Sequence, residues 1–157
     1  MKFIKKNSNN YDVIINRKIK YIIIHYTGMK NQKLAIKRLQ SKVAKVSAHY
    51  VISKKGLIFQ MVDDKNIAWH AGKSKWGKDI NLNSKSIGIE LVNNGFEKFP
   101  KNQIKSLIKL IKTLKIKYKI KKSHILGHSH IAPHRKIDPG PLFPWFYLAK
   151  MGLSKIY

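Results

Sequence analysis

The run Tyr21-Ile22-Ile23-Ile24 inside Lys20 to Tyr26 is continuously apolar and β-branched, which predicts a strand buried on both faces. Gln32 to Lys42 sets Leu34, Ile36 and Leu39 among charged residues, as in a short amphipathic helix. Two strand-like runs follow, His49 to Ser53 and Leu57 to Val62. Lys54-Lys55-Gly56 between them is a hairpin signal. Residues 63–85 carry Gly72, Gly77, Asp79, Asn81 and Asn83 and read as one long irregular loop, a kind of segment that is more often functional than idle. Ser86 to Val92 alternates, with Ile87, Ile89 and Leu91 on one face and Gly88, Glu90 and Val92 on the other. Gln103 to Tyr118 is the clearest helix, with Ile104, Leu107, Ile108, Ile111 and Leu114 at helical spacing and lysines opposite. His124 to Gly127 predicts a short strand, and Pro144 to Met151 a small closing helix. The order β-α-β-β-loop-β-α-β-loop-α predicts a single α/β domain: a central mixed β-sheet flanked by helices. Residues 1–19 are polar and rich in Asn and Lys. They are expected to form a poorly ordered arm or a surface-hugging lead-in to a domain over 20–157.

Composition narrows the class. At 157 residues, 43% apolar and 25% charged, the chain is an ordinary globular domain and not a disordered one. No apolar run approaches the ~20 residues that span a bilayer, so no transmembrane segment is expected. The first residues have charge but no apolar stretch behind them, and there is no cysteine to carry a lipid or a disulfide. Cytoplasmic residence is the expectation, with periplasmic location by a non-standard export route as the alternative. The net charge of +26 points to anionic ligands. It does not point to specific nucleic-acid binding. All but three of the 33 basic residues (Arg17, Arg38, Arg135) are lysine, they are scattered, and A/T-rich coding accounts for much of the excess.

The chemistry concentrates in Gly127 to Pro141. This segment holds His128, His130, His134, Lys136 and Asp138 between prolines that restrict the backbone. A hydrolytic zinc takes three protein ligands and leaves a place for water. His25 at a strand end, His128 and Asp138 would supply two nitrogens and an oxygen. His130 and His134 compete with His128, and their i, i+4 spacing is that of helical zinc sites, but Pro133 interrupts the interval. Glu90 is either a sheet-edge surface carboxylate or a general base whose pKa is raised by partial burial. Lys136 is either one more solvated lysine or a cation aimed at a developing oxyanion.

Five pieces in order resemble the zinc-dependent N-acetylmuramoyl-L-alanine amidases of the AmpD-like type, relatives of the peptidoglycan recognition proteins. They are Ile23-Ile24-His25-Tyr26-Thr27, Val46-Ser47-Ala48-His49-Tyr50, Ala68-Trp69-His70-Ala71-Gly72, Ser86-Ile87-Gly88-Ile89-Glu90-Leu91, and Gly127-His128 through Pro141. The resemblance implies Zn2+ on His25, His128 and Asp138, catalysis by Glu90 and Lys136, and substrate contacts or support from His49, Trp69, His70 and Asn83. Trp69 and Trp76 are candidate groove walls, with core packing the alternative for at least one. Recognition-protein and phage branches have cysteine at the Asp138 position, so this chain follows the bacterial amidase branch. The implied reaction cleaves the amide between N-acetylmuramic, or 1,6-anhydro-N-acetylmuramic, acid and L-alanine of a stem peptide. The implied partners are peptidoglycan fragments (muropeptides), in cell-wall recycling. The rival readings are a non-catalytic peptidoglycan-binding module and a basic nucleic-acid binder; oligomeric state is open.

Overall fold

The computed structural model describes residues 3–156; Met1, Lys2 and Tyr157, the extreme ends of the expected arm and domain, lie outside the described residues. The chain forms, in order, β1 (Ile4–Lys5), β2 (Tyr11–Asp12), β3 (Tyr21–Tyr26), α1 (Gln32–Gln40), β4 (Tyr50–Ile52) and β5 (Ile58–Gln60). Then come β6 (Ile67–Ala68), β7 (Lys75–Trp76), β8 (Asp79–Ile80), β9 (Ser86–Leu91) and α2 (Lys101–Lys117). β10 (Ile125–Gly127), α3 (His128–Ile131) and α4 (Trp145–Lys150) complete it.

Six strands make one mixed sheet in the order β1-β5-β4-β9-β3-β10. Only β4 and β5, the expected hairpin, are antiparallel within it. Strand alternation divides the side chains between two buried faces. Ile22, Ile24, Ile87, Ile89, Leu91 and Ile125 pack with Leu107, Leu110, Ile111 and Leu114 of α2. The opposite face carries Tyr21, Ile23 and Leu126 against Leu82 and Ile131, and Val51 against Ile36 and Leu39 of α1. Because β3 and β9 are parallel with His25 opposite Glu90, these two polar residues stand side by side on that second face. α2 is tied down at its start: Gln103, fully buried, donates from Nε2 to the carbonyls of Ile52 (2.9 Å) and Val92 (3.1 Å).

Two expectations change, and the lead-in takes the surface-hugging one of its two expected forms. In α1, Ala35 joins Ile36 and Leu39 on the buried face, while Leu34 is exposed. Positions 34 and 36 are two apart on a 3.6-residue period and point opposite ways. Residues 63–85 are not one irregular loop: β6 pairs with β2, β7 and β8 form a hairpin, and a 3-10 turn covers Leu82–Lys85. Two-residue strands leave no periodicity to read. The lead-in is fastened along its length. β1 pairs with β5, the Ser8 hydroxyl donates to Leu39 O, and Asn10 Nδ2 donates to Ser41 O and Val46 O. Among the described residues, no helix is long and apolar enough to cross a membrane.

Candidate metal centre and its cavity

His25 sits on β3, His128 opens α3 directly after β10, and Asp138 follows the turn through Pro133. All three are buried, and one donor atom from each lies within 4.8 Å of the others. His25 Nδ1 is 2.9 Å and His128 Nδ1 3.1 Å from Asp138 Oδ2, and the two Nδ1 atoms are 3.1 Å apart. The far side of each ring decides what these nitrogens are. His128 Nε2 lies 3.1 Å from the carbonyl of Ala71, which only accepts, so the ring proton belongs on Nε2. The Ser86 hydroxyl donates to Leu82 O and accepts from His70 Nε2 at 3.1 Å, leaving His70 Nδ1 as an acceptor for His25 Nε2 at 3.0 Å. Both Nδ1 lone pairs therefore face one point, beside a carboxylate. Burial, ahead of the opposing pull of Asp138, drives the His25 pKa down to about 4, which keeps that nitrogen unprotonated at neutral pH. Three lone-pair donors converging in a buried space call for a cation, and this set, two imidazoles and one carboxylate, fits a divalent metal with an open coordination place.

His70 needs its own clearance. A Cβ at Gly88 would stand 2.4 Å from the His70 ring, so the Gly in β9 is what lets that imidazole sit behind His25, the two ring planes at 81°. Asn83 Oδ1 accepts from the backbone N–H groups of His70 (3.0 Å) and Ala71 (2.6 Å), fixing the segment that orients both ligating rings.

A cavity of about 510 Å3 opens over the cluster. Trp69 and His70 line it, with Glu90 and Lys136. His49 and Asn83, expected at the substrate, do not. His49 is fully buried, its Nδ1 accepting from Gly88 N (3.0 Å) and its Nε2 facing Asn66 O (3.1 Å), so both act from behind the wall. Glu90 is half-buried as a residue, but its Oε2 is shut off from solvent and has no hydrogen-bond partner. Desolvation, reinforced by Asp138 and opposed by Lys136 and Arg38, holds its pKa well above the ordinary value. His130 is turned away: its Nδ1 accepts from Gly127 N (3.0 Å) and its ring lies against Trp145. His134 is exposed and outside the cluster. Trp76 packs on the cluster of Tyr21, Ile23 and Leu82, away from this cavity.

Arg17 was not foreseen. Its guanidinium donates to the carbonyls of Asp64 (2.5 Å), Asn66 (2.6 Å), Asn83 (3.0 Å), Ser84 (3.1 Å) and Ser86. It thus staples the segment of Asp64 and Asn66 to the one carrying Asn83 and Ser86, the residues that set His70. Its rarity was the available signal: of three arginines, this one braces the site from behind, and Arg38 and Arg135 line the cavity.

The family model described as N-acetylmuramoyl-L-alanine amidase matches residues 15–141. The chain belongs to this amidase family. AmiD of Escherichia coli is 40% identical over 153 residues, covering 87% of this chain and 54% of that protein. The 1,6-anhydro-N-acetylmuramyl-L-alanine amidase AmpD of Haemophilus influenzae is 42% identical over 102 residues, covering 64% and 55%. A solved complex of the E. coli AmiD with anhydro-N-acetylmuramic acid-L-Ala-D-gamma-Glu-L-Lys superposes with a TM-score of 0.83 at 39% identity, covering 88% of this chain and 59% of that one. The chain spans about half the length of the curated relatives it matches. Membership in the amidase family agrees with the mixed sheet and with the converging donors beneath a cavity of about 510 Å3.

Proposed function

We propose that the chain is a zinc-dependent amidase that hydrolyses the bond between N-acetylmuramic acid, or its 1,6-anhydro form, and the L-alanine of a peptidoglycan stem peptide. The observation that carries this reading is the buried convergence of His25 Nδ1, His128 Nδ1 and Asp138 Oδ2, with both ring protons held on the far side. His25, His128 and Asp138 would hold the zinc ion, which when bound supplies Lewis-acid polarisation of the scissile carbonyl and lowers the pKa of water.

The chain's own groups do the rest. Glu90, opposite His25 across the β3–β9 pairing, takes the proton of the attacking water and delivers one to the departing amine. A carboxylate in water is too weak a base for this; desolvation raises Glu90 toward the working pH. Lys136, half-buried on the cavity wall, presents its ammonium to the oxyanion as the carbonyl carbon becomes tetrahedral. Asn83 and Ser86 keep the rings in register by holding His70. Trp69, whose Nε1 donates to Asp12 (2.9 Å), gives the cavity a fixed aromatic wall for the ligand.

Metal content and cleavage of a soluble muramyl tripeptide, followed by mass spectrometry with and without a chelator, test the reading together. Stoichiometric zinc and chelator-sensitive release of free tripeptide are expected. Zinc bound without cleavage of either the anhydro or the reducing form would make the chain a binding module instead.

A further inference from the structure

The outer side of α2 is a column of cations. Lys101, Lys105, Lys109 and Lys112 follow at helical spacing, all exposed, while the apolar positions of the helix fill its buried side. α2 contains no acidic residue, and none of these four lysines has an ion pair among the described residues. Like charges three and four residues apart repel, so the column costs the helix stability in the free protein. Lysines that are scattered along the sequence are thus lined up by the fold. α2 covers the sheet face opposite the one that carries His25 and Glu90, so the column stands across the sheet from the metal cluster. A second feature stands at the C-terminal end of the same helix. Val13, Ile14 and Ile15 are 76%, 47% and 87% exposed, three aliphatic residues in a row running into a turn. Ile14 lines a depression of about 320 Å3 with Lys65, Lys117 and Tyr118, which places this tip beside the end of α2, where Ile116 is 80% exposed. Asp64 in that depression is engaged by Tyr50, Tyr118 and Lys117, and the other acid there is the exposed Asp63. The tip is held at both ends. Tyr11 and Asp12 pair with β6, Asp12 accepts from Trp69 Nε1, and Asn16 turns at φ +58° into the pinned Arg17. Aliphatic side chains presented to water on a fastened loop form a surface built for contact.

We propose that this side of the molecule docks on an anionic phospholipid bilayer, with the α2 lysines on the headgroups and the Val13-Ile14-Ile15 tip at the acyl boundary. A lysine column alone would suit any polyanion, a nucleic-acid duplex included. The aliphatic tip decides between them. A duplex held by its phosphates offers three exposed aliphatic side chains nothing to bury against, whereas the acyl layer of a bilayer does. Lysine also suits a headgroup layer, because its flexible stem lies on apolar surface while the ammonium finds phosphate. Docked in this way, the protein keeps the cavity over the metal cluster on the far side from the lipid, open to a ligand. Docking by this face does not depend on which bond the cavity cleaves.

Cosedimentation of the full chain with vesicles tests this, using phosphatidylcholine alone and phosphatidylcholine with about one-third phosphatidylglycerol, at ~0.1 M salt. Binding to the anionic vesicles only is expected. The Lys101→Gln/Lys105→Gln/Lys109→Gln/Lys112→Gln variant should bind them at least about tenfold more weakly. A Lys30→Gln/Lys33→Gln/Lys37→Gln/Lys42→Gln variant removes the same charge from exposed positions in and around α1, and should lose less than about threefold. Because the chain has no cysteine, Ile15→Cys carries a single polarity-sensitive fluorophore, whose emission should shift to the blue on anionic vesicles. Equal losses from the two quadruple variants would make the attraction a property of total charge and overturn the docking face. An unmoved fluorophore on vesicle-bound protein would overturn insertion of the tip. Absence of wild-type binding would overturn bilayer docking altogether, and affinity for a short DNA duplex that is lost only in the α2 variant would then give the column to nucleic acid.

Discussion

At the residue scale, Glu90 and Asp138 are both carboxylates facing one cavity, and their surroundings pull them apart. Desolvation and the charge of Asp138 push Glu90 upward. Asp138 is also pushed up by burial, but the imidazoles of His128 and His25 outweigh this and hold it below the usual carboxylate range. The opposed pKa values suit the separate tasks of the proposed mechanism, proton transfer for Glu90 and cation binding for Asp138. Glu90→Ala should keep zinc and fold while slowing turnover by about 10²–10⁴; near-normal turnover in steady-state assays would remove Glu90 from the reaction. Asp138→Ala should lose zinc and activity together, and full occupancy by elemental analysis would move the metal elsewhere. Lys136→Ala should lower kcat by about 10²–10³ with KM little changed. A rise confined to KM would make Lys136 a binding residue only.

At the scale of elements, what could be read in advance depended on length. β9 is six residues with strict alternation, so its existence, its α2-facing side and the direction of Glu90 all follow from the sequence. α2 is also legible because its apolar positions recur for 17 residues. β1, β2, β6, β7 and β8 have two residues each, and three of them (β1, β2 and β6) find partners far along the chain, so periodicity carries no trace of them. The same limit hid Arg17: its five carbonyl partners lie at 64–66, ahead of β6, and at 83–86, in the 3-10 turn and the first residue of β9, segments that no periodicity brings together. His49, at the start of β4, shows what such burial costs. Burial first, then the nearby charge of Arg17, drives its pKa down to about 3. An unfolded histidine titrates near 6.5. Below that pH the unfolded chain takes a proton that folded His49 refuses, so stability is intact above ~6.5 and falls as pH drops, by up to about 1.4 kcal/mol per pH unit. Urea titrations of the metal-free protein at pH 7.5, 6 and 5 should show a slope at least this steep, because burial also lowers His25 and His70, and His49→Gln should reduce it by the share of His49. An unchanged slope in the variant would assign the acid sensitivity to other groups.

At the scale of the whole molecule, a charge of +26 on 157 residues works in two directions. Of the seven acids, Asp64, Asp79 and Glu97 are paired with lysines and Asp138 is enclosed by imidazoles, so little negative charge remains to offset the surplus lysines. The folded state gathers these cations closer than the unfolded chain does, and self-repulsion opposes folding. The same field favours the approach of carboxylate-bearing ligands to the cavity over the metal cluster. Salt separates the consequences, because the Debye length shrinks from about 30 Å at 0.01 M to about 3 Å at 1 M. Raising salt from about 0.02 M to 0.5 M should therefore raise Tm by several degrees as repulsion is screened. Over the same range KM for the soluble muramyl tripeptide of the proposed reaction should increase as long-range attraction is lost. Most proteins whose surface charges are balanced would show a flat or falling Tm instead. A falling Tm here, by calorimetry in a chloride series, would mean that the ion pairs outweigh the repulsion. A rising Tm with an unmoved KM would mean that the cations burden the fold without serving the ligand, and the lysine surplus would then have its origin outside the chemistry of the site.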